Sequence, residues 1–265
     1  MDAFFLMLKR MKIALIQTHL FWENPKENRI HFEVKINAIA ENVDLIILPE
    51  MLTTGFTMHP TDVAETMTGE TVVWLQHLAK TKNCAVVGSL VIEENNQFYN
   101  RLLFVFPDGK IESYDKKHLF TLTGEDQVYQ KGNKKLIVDY KGFKICPLIC
   151  YDLRFPVFSR NTEDYDLLIY VANWPKTRIN AWDILLKARA IENMSYAIGV
   201  NRIGFDGNNH EYNGHSQAID FLGNEMLNAY ENEGVFIGAL EKEKLIETRK
   251  KLGFLNDRDG FKLIP

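Results

Sequence analysis

Cysteine is scarce in this chain: Cys84, Cys146 and Cys150 are the only three among 265 residues. So few, and an odd number, argue against a disulfide framework and place the chain in a reducing compartment, the cytoplasm by default. Long apolar runs are also lacking. No segment approaches the roughly 20 residues that a membrane helix needs. The opening run in MDAFFLMLKRMKIALIQ is too short for a secretory core, and its positive charge follows the apolar residues instead of preceding them. There is no basic stripe. The net charge is -4, and the run TRKKLG at Thr248–Gly253 reads as the solvated end of a surface helix. Nucleic acid and membrane are therefore not expected as partners. Repeats, low-complexity tracts and Pro/Gly/Ser linkers are absent, so residues 11–265 read as a single domain. Residues 1–10 read as an N-terminal leader or start-site extension, because MKIALIQ from Met11 looks like a second start.

With 46% hydrophobic residues, the chain has ample apolar surface for a large core. Short runs rich in Val and Ile predict buried strands at 12–18, 43–49, 84–92, 101–106, 143–150, 165–172 and 196–202. Helices are predicted between some of them. One spans Asn24–Asn42 with Pro25 in its first turn, one spans Thr68–Lys82 with Val72, Val73, Leu75, Leu78 and Ala79 inward, and one spans Asn180–Asn193. Strand–helix alternation implies an α/β fold. Around 84–115 strand follows strand, with a hairpin turn at Pro107–Gly109, and 214–240 reads as a meander. Mixed sheets with helices outside suit this pattern better than one parallel sheet.

Three stretches carry candidate chemistry. In PLICYDLRFP, Cys150 ends an apolar run and polar residues follow at once. A cysteine there is either a small buried hydrophobe or a nucleophile displayed at a strand's C-terminal end, where α/β folds bind ligands. In DLIILPEM, Glu50 stands at a similar strand tip, as a base or as a solvated acid. In IESYDKKHLF, adjacent lysines on extended chain point to opposite sides, so only one of Lys116 and Lys117 can face a site. His118 also offers a Cys–His dyad as a rival mechanism. Cys146 and Cys150 lack the ligand spacing of a metal site.

Taken together and in order, DLIILPEM, YDKKHLF and LICYDLRFP resemble the signatures of the nitrilase, or carbon–nitrogen hydrolase, superfamily. The likeness extends through YNRLLFVFPDGKI, YVANWPKTRINAWDILLKARAIEN, GVNRIG and GHSQAIDFLGNE, from Met11 to about residue 240. It implies a four-layer αββα sandwich, two mixed sheets face to face with helices outside. It also implies a Glu–Lys–Cys catalytic set without metal or organic cofactor. Matched by motif, Glu50 is the general base, Lys116 the catalytic lysine and Cys150 the nucleophile. The second carboxylate falls on Glu125, with Asp126 its neighbour. On this mapping His118 is a structural loop residue.

Within the superfamily, YDKKHLF, CYDLRFP and VANWPKTR look most like the bacterial ω-amidase branch. That branch hydrolyses the terminal amide of 2-oxoglutaramate and 2-oxosuccinamate. A carboxylate-bearing substrate calls for a cation, and Arg154, Lys176 and Arg178 are the candidates, Arg154 being equally readable as a structural ion pair. Tyr151 offers a backbone N–H to the oxyanion, and Trp174 and Phe120 are candidate pocket walls. The resemblance further implies a homodimer. The rivals are an amidase for deaminated glutathione, an N-carbamoyl amidase, a nitrilase, a scaffold on the same fold, and a redox thiol protein with Cys146 resolving Cys150.

Overall fold

The computed structural model describes residues 9–263. The elements are β1 (Arg10–Gln17), α1 (Pro25–Asn37), β2 (Leu45–Ile47), α2 (Glu70–Lys82), β3 (Ala85–Glu94), β4 (Gln97–Val105) and β5 (Ile111–Asp115). A short α3 (Glu125–Val128) leads to β6 (Val138–Tyr140), β7 (Phe143–Ile149), α4 (Pro156–Ser159), β8 (Leu167–Ala172) and α5 (Ile179–Asn193). Then come β9 (Tyr196–Asn201), β10 (Ile203–Phe205), β11 (Glu211–Asn213), β12 (Gln217–Ile219), β13 (Glu225–Asn228), β14 (Gly234–Glu241) and α6 (Lys242–Leu252). The expectation for residues 1–10 falls largely outside the described residues; Arg10 already belongs to β1.

Local chemistry accounts for the element ends. The Asn24 side chain caps α1 by accepting from the Glu27 N–H at 3.2 Å, and Pro25 opens its first turn. The helix stops at Asn37, short of the expected Asn42, because its buried stripe ends at Ile36 and the chain must turn to enter β2. In α2, Val72, Leu75, Leu78 and Ala79 are buried as expected, but Val73 lies a helical step off that stripe and is exposed. Asn83 ends α2 in the left-handed conformation at φ 50°.

Two six-stranded sheets form, in the orders β14-β1-β2-β3-β4-β5 and β13-β12-β9-β8-β7-β6. In each, three adjacent strands run parallel (β1, β2, β3 and β7, β8, β9) and the flanking pairings are antiparallel. Along β1, Ile13 and Leu15 join one core with Ile145, Ile169 and Ile198 of the other sheet, while Ala14 and Ile16 pack with Phe32 and Ile36 of α1 and Leu75 of α2. On the far side, Trp182, Leu186 and Ala190 of α5 cover the second sheet. The architecture is the αββα sandwich.

The expected 214–240 meander is corrected in one respect. β12 and β13 pair, but β14 crosses to the first sheet and pairs with β1 from Arg10↔Glu241 to Gln17↔Gly234. This covers an edge of β1 that would otherwise be an unpaired template.

Candidate active site

Five polar residues lie within three residues of the C-terminal ends of strands, β2 and β5 in one sheet and β7, β8 and β9 in the other. Glu50 lies just after β2, Lys116 after β5, Cys150 after β7 and Asn173 after β8, and Asn201 ends β9. β5 is antiparallel to β4 and β4 to β3, so β5 runs with β2. The C-terminal ends of both sheets therefore meet in one crevice, as α/β architecture predicts. Glu50 and Lys116 come from the first sheet; Cys150 and Asn173 come from the second.

The centre of the crevice is a buried charge cluster. Lys116 Nζ donates to Glu50 Oε1 at 2.9 Å and to Glu125 Oε1 and Oε2 at 3.0 and 2.9 Å, with all three side chains fully buried. Asn100 Nδ2 donates to Glu50 Oε1 at 2.8 Å and to Glu125 Oε1 at 3.3 Å. The backbone N–H of Asn173 donates to Glu50 Oε2 at 2.8 Å, bridging the two sheets. Oε1 thus carries two donors and Oε2 one, which leaves Oε2 the freer oxygen to accept a proton. Asp126 is exposed and bonds Gln127, so the buried second carboxylate is Glu125.

Cys150 stands at the turn from β7 into a single 3-10 turn, Cys150–Arg154, with φ 41°. That is left-handed backbone on a residue with a Cβ, a conformation costing about 1–3 kcal/mol that surrounding structure must enforce. Asp152 enforces it. Its buried carboxylate accepts from Ile149 N–H (3.0 Å), His118 N–H (3.0 Å) and the Tyr114 hydroxyl (2.7 Å), and pairs with His118 Nδ1 at 2.8 Å. One side chain thereby ties the cysteine turn to the loop that carries Lys116. His118 is occupied by Asp152 and stacks on Phe155 at 3.7 Å. It does not line the cavity that holds Cys150, so the geometry offers no dyad between Cys150 and His118.

The electrostatics follow from burial. Burial, then the Glu50 charge, push the Cys150 thiol well above its ordinary value, with Lys116 opposing. The resting group is therefore a thiol, and attack requires transfer of its proton. Burial alone would lower the Lys116 ammonium, but the charges of Glu125 and Glu50 more than offset it and hold it above an ordinary lysine. Burial also raises Glu125, against the pull of Lys116.

A cavity of about 350 Å³ opens onto this cluster. Lys116, Cys150, Tyr151, Arg154, Trp174, Phe120 and Arg178 all line it. The Arg154 guanidinium lies over the Trp174 ring at 4.8 Å, and that of Arg178 over Phe120 at 5.1 Å. Neither arginine has a carboxylate partner among the described residues, so a structural ion pair does not account for Arg154. The expectation for Lys176 is corrected. It sits on a 3-10 turn that directs it outward, is exposed, and pairs with Glu211 at 2.8 Å instead of lining the cavity. The Cys146–Cys150 redox pair is also corrected. Cys146 is in the core, and from it the strand still runs three residues to Ile149. At about 3.3 Å per residue that is roughly 10 Å, beyond the ~7 Å limit for a disulfide.

Sequence reading missed three contributors. Asn100 and Asn173 position Glu50, and the Oδ1 atoms of both are buried without a partner. Their signal was present in YNRLL and VANWP, each a polar residue inside or just after an apolar run. The third is the β10–β11 hairpin, whose Asp206, His210 and Tyr212 form part of the cavity wall. Its three-residue strands are too short to show a period.

A model of the carbon–nitrogen hydrolase family matches residues 12–250. The chain is 41% identical to an omega-amidase, YafV, of Yersinia enterocolitica over 258 residues, covering 97% of this chain and 100% of the relative. It is 31% identical to a 2-oxoglutaramate amidase of Bacillus subtilis, covering 92% of this chain and 96% of the relative. Among solved structures, a CN-hydrolase superfamily protein of Xanthomonas campestris with an arsenic adduct in its active site superposes with a TM-score of 0.94. It is 41% identical, covering 96% of this chain and 99% of that one.

Proposed function

The chain belongs to the carbon–nitrogen hydrolase family, and from that premise we propose that it is an ω-amidase, releasing ammonia from 2-oxoglutaramate or 2-oxosuccinamate through a thioester on Cys150. The observation that carries the substrate class is the pair of guanidiniums, Arg154 and Arg178, lining the Cys150 cavity without carboxylate partners. An anionic end group of a small amide supplies the missing partner. A cavity of about 350 Å³ is at the small end for ligand pockets, which favours a compact keto-amide over deaminated glutathione.

In the mechanism, Glu50 takes the Cys150 proton through Oε2 as sulfur attacks the amide carbon. Lys116 and the Tyr151 backbone N–H receive the oxyanion. One such donor is typically worth about 3 kcal/mol. Asn173 lines the cavity and its Oδ1 has no partner, so it is the acceptor proposed for the amide nitrogen. Glu50 then returns the proton to the departing ammonia and next activates the water that cleaves the thioester. Glu125 holds Lys116 and orients the substrate. We also propose a homodimer, with Ile184 and Ile191 of α5 and Leu222 as exposed apolar residues available for the contact. A reducing cytoplasm suits its three free cysteines. Among the described residues no helix is long and apolar enough to cross a membrane.

Ammonia release from a panel of 2-oxoglutaramate, 2-oxosuccinamate, glutamine, carbamoyl amino acids and simple nitriles tests the reading; the two keto-amides are expected to lead. Arg154→Met sharpens it. Losing one charge-assisted bond to a carboxylate costs about 1.5–3 kcal/mol, or roughly ten- to a hundredfold in kcat/KM. That loss is expected on 2-oxoglutaramate and not on an uncharged short amide. Equal losses on both would make Arg154 structural and turn attention to Arg178.

A further inference from the structure

Away from the catalytic crevice, three side chains from distant parts of the chain converge. His19 follows β1, His31 lies on α1, and Glu233 immediately precedes β14. Their ligand atoms all lie within 4.8 Å of one another. His19 Nδ1 is 3.3 Å and His31 Nε2 is 3.6 Å from the same Glu233 Oε1. A tetrahedral zinc site with bonds of about 2.0–2.1 Å separates its ligand atoms by about 3.3 Å. We propose that His19, His31 and Glu233 form a binding site for a borderline divalent transition ion, Zn2+ foremost, distinct from the catalytic site and not used in the amide chemistry.

Two imidazoles and one carboxylate suit zinc-like ions and disfavour Mg2+ or Ca2+, which take oxygen ligands. The side chains are 39%, 19% and 37% exposed, so solvent can complete the coordination. Thr18 Oγ1 lies 2.6 Å from His31 Nε2 and 2.5 Å from Glu233 Oε1, bonded to the same atoms that would ligate the ion, so it must turn away from them when the ion binds. One charged group competes as well. Lys35 Nζ lies 2.8 Å from Glu233 Oε1 and must give way to the ion.

The site's position gives it a consequence. His19 makes a parallel bridge with Ile203, the first residue of β10. The β10–β11 hairpin supplies Asp206, His210 and Tyr212 to the cavity wall. A bound ion would tie the end of β1, α1 and the entry to β14 into one brace behind that wall.

The test uses tag-free full-length protein carrying Cys150→Ala, which removes a thiol that would itself bind a soft ion. Zn2+ is titrated by calorimetry and Co2+ by visible absorption, which reports tetrahedral coordination. The expected result is one equivalent bound at micromolar concentration, with a rise in thermal midpoint. Adding His19→Ala or Glu233→Gln should weaken binding at least about tenfold, no less than the loss of an outer-shell partner. His19 is two-fifths exposed, so its variant should stay folded. Lys35→Met should tighten binding by roughly two- to fivefold, the weight of one surface ion pair. Absence of saturable Co2+ binding by the parent, or unchanged Zn2+ affinity in His19→Ala, would overturn the proposal.

Discussion

Turnover is expected to fall by about four to six powers of ten when Cys150 is replaced by alanine, the scale set when a nucleophile is deleted from a preassembled site. The change removes one sulfur, and the turn that holds residue 150 is fixed by Asp152, which the substitution leaves in place. Circular dichroism and thermal unfolding should therefore match the parent. The other cysteines are the internal controls. Cys84 and Cys146 are both buried in the core; burial raises the Cys84 thiol to about 11 and pushes Cys146 up as well. Neither lines the cavity, so Cys84→Ala and Cys146→Ala should keep activity in proportion to their folded fraction. Ammonia release from folded Cys150→Ala at even a tenth of the parent rate would end the thioester mechanism.

Lys116→Met is expected to cost at least about 10³-fold in kcat/KM, more than the loss of a single oxyanion donor. Two functions disappear together: a donor to the oxyanion, and the cation that opposes Glu50 in setting the thiol. Stability should fall too. Lys116 is the ion-pair partner of two buried carboxylates, and breaking a buried pair costs about 3–5 kcal/mol. The rate must therefore be expressed per folded molecule, with unfolding followed by denaturant. Lys117→Met is the matched comparison. Lys117 is half-buried, its backbone N–H donates to the Tyr114 hydroxyl at 3.0 Å, and its side chain lines a different cavity, beside Phe155. A loss under about threefold is expected, as for a surface position without special contacts. If Lys117→Met were the damaging variant, the assignment of this loop would be inverted.

The two lysines also illustrate what was legible in the sequence. Strand alternation demands that only one of them face inward, and the motif selects Lys116, which the structure buries between Glu50 and Glu125. Glu50 and Cys150 could be located because each ends an apolar run, and runs of that length announce buried strands whatever packs around them. Asp152 could not be ranked from the sequence. Its importance lies in contacts to Tyr114 and His118, more than 30 residues away, and spacing carries no trace of them. Lys176 was misjudged for the converse reason. Nearness to a pocket residue in sequence says nothing about direction on a 3-10 turn, where Lys176 and Arg178 leave the chain on different sides. The partner strand of β1 was equally hidden: the period of β14 shows that a strand exists, not which sheet receives it.

The nucleophile belongs to one sheet and its base to the other, joined by the Asn173 N–H to Glu50 bond. Refolding should therefore separate two clocks. Each sheet has its own strand order and can acquire backbone hydrogen bonds by itself, so far-ultraviolet circular dichroism can recover while Cys150 and Glu50 are still far apart. Catalysis begins only when the inter-sheet core, with Ile13 and Leu15 on one sheet and Ile169 and Ile198 on the other, has closed to its final thickness. In a stopped-flow refolding experiment the return of ammonia release would thus time the docking of the sheets. A cavity cut into that core, such as Ile169→Ala, would delay the return of activity more than the return of secondary structure.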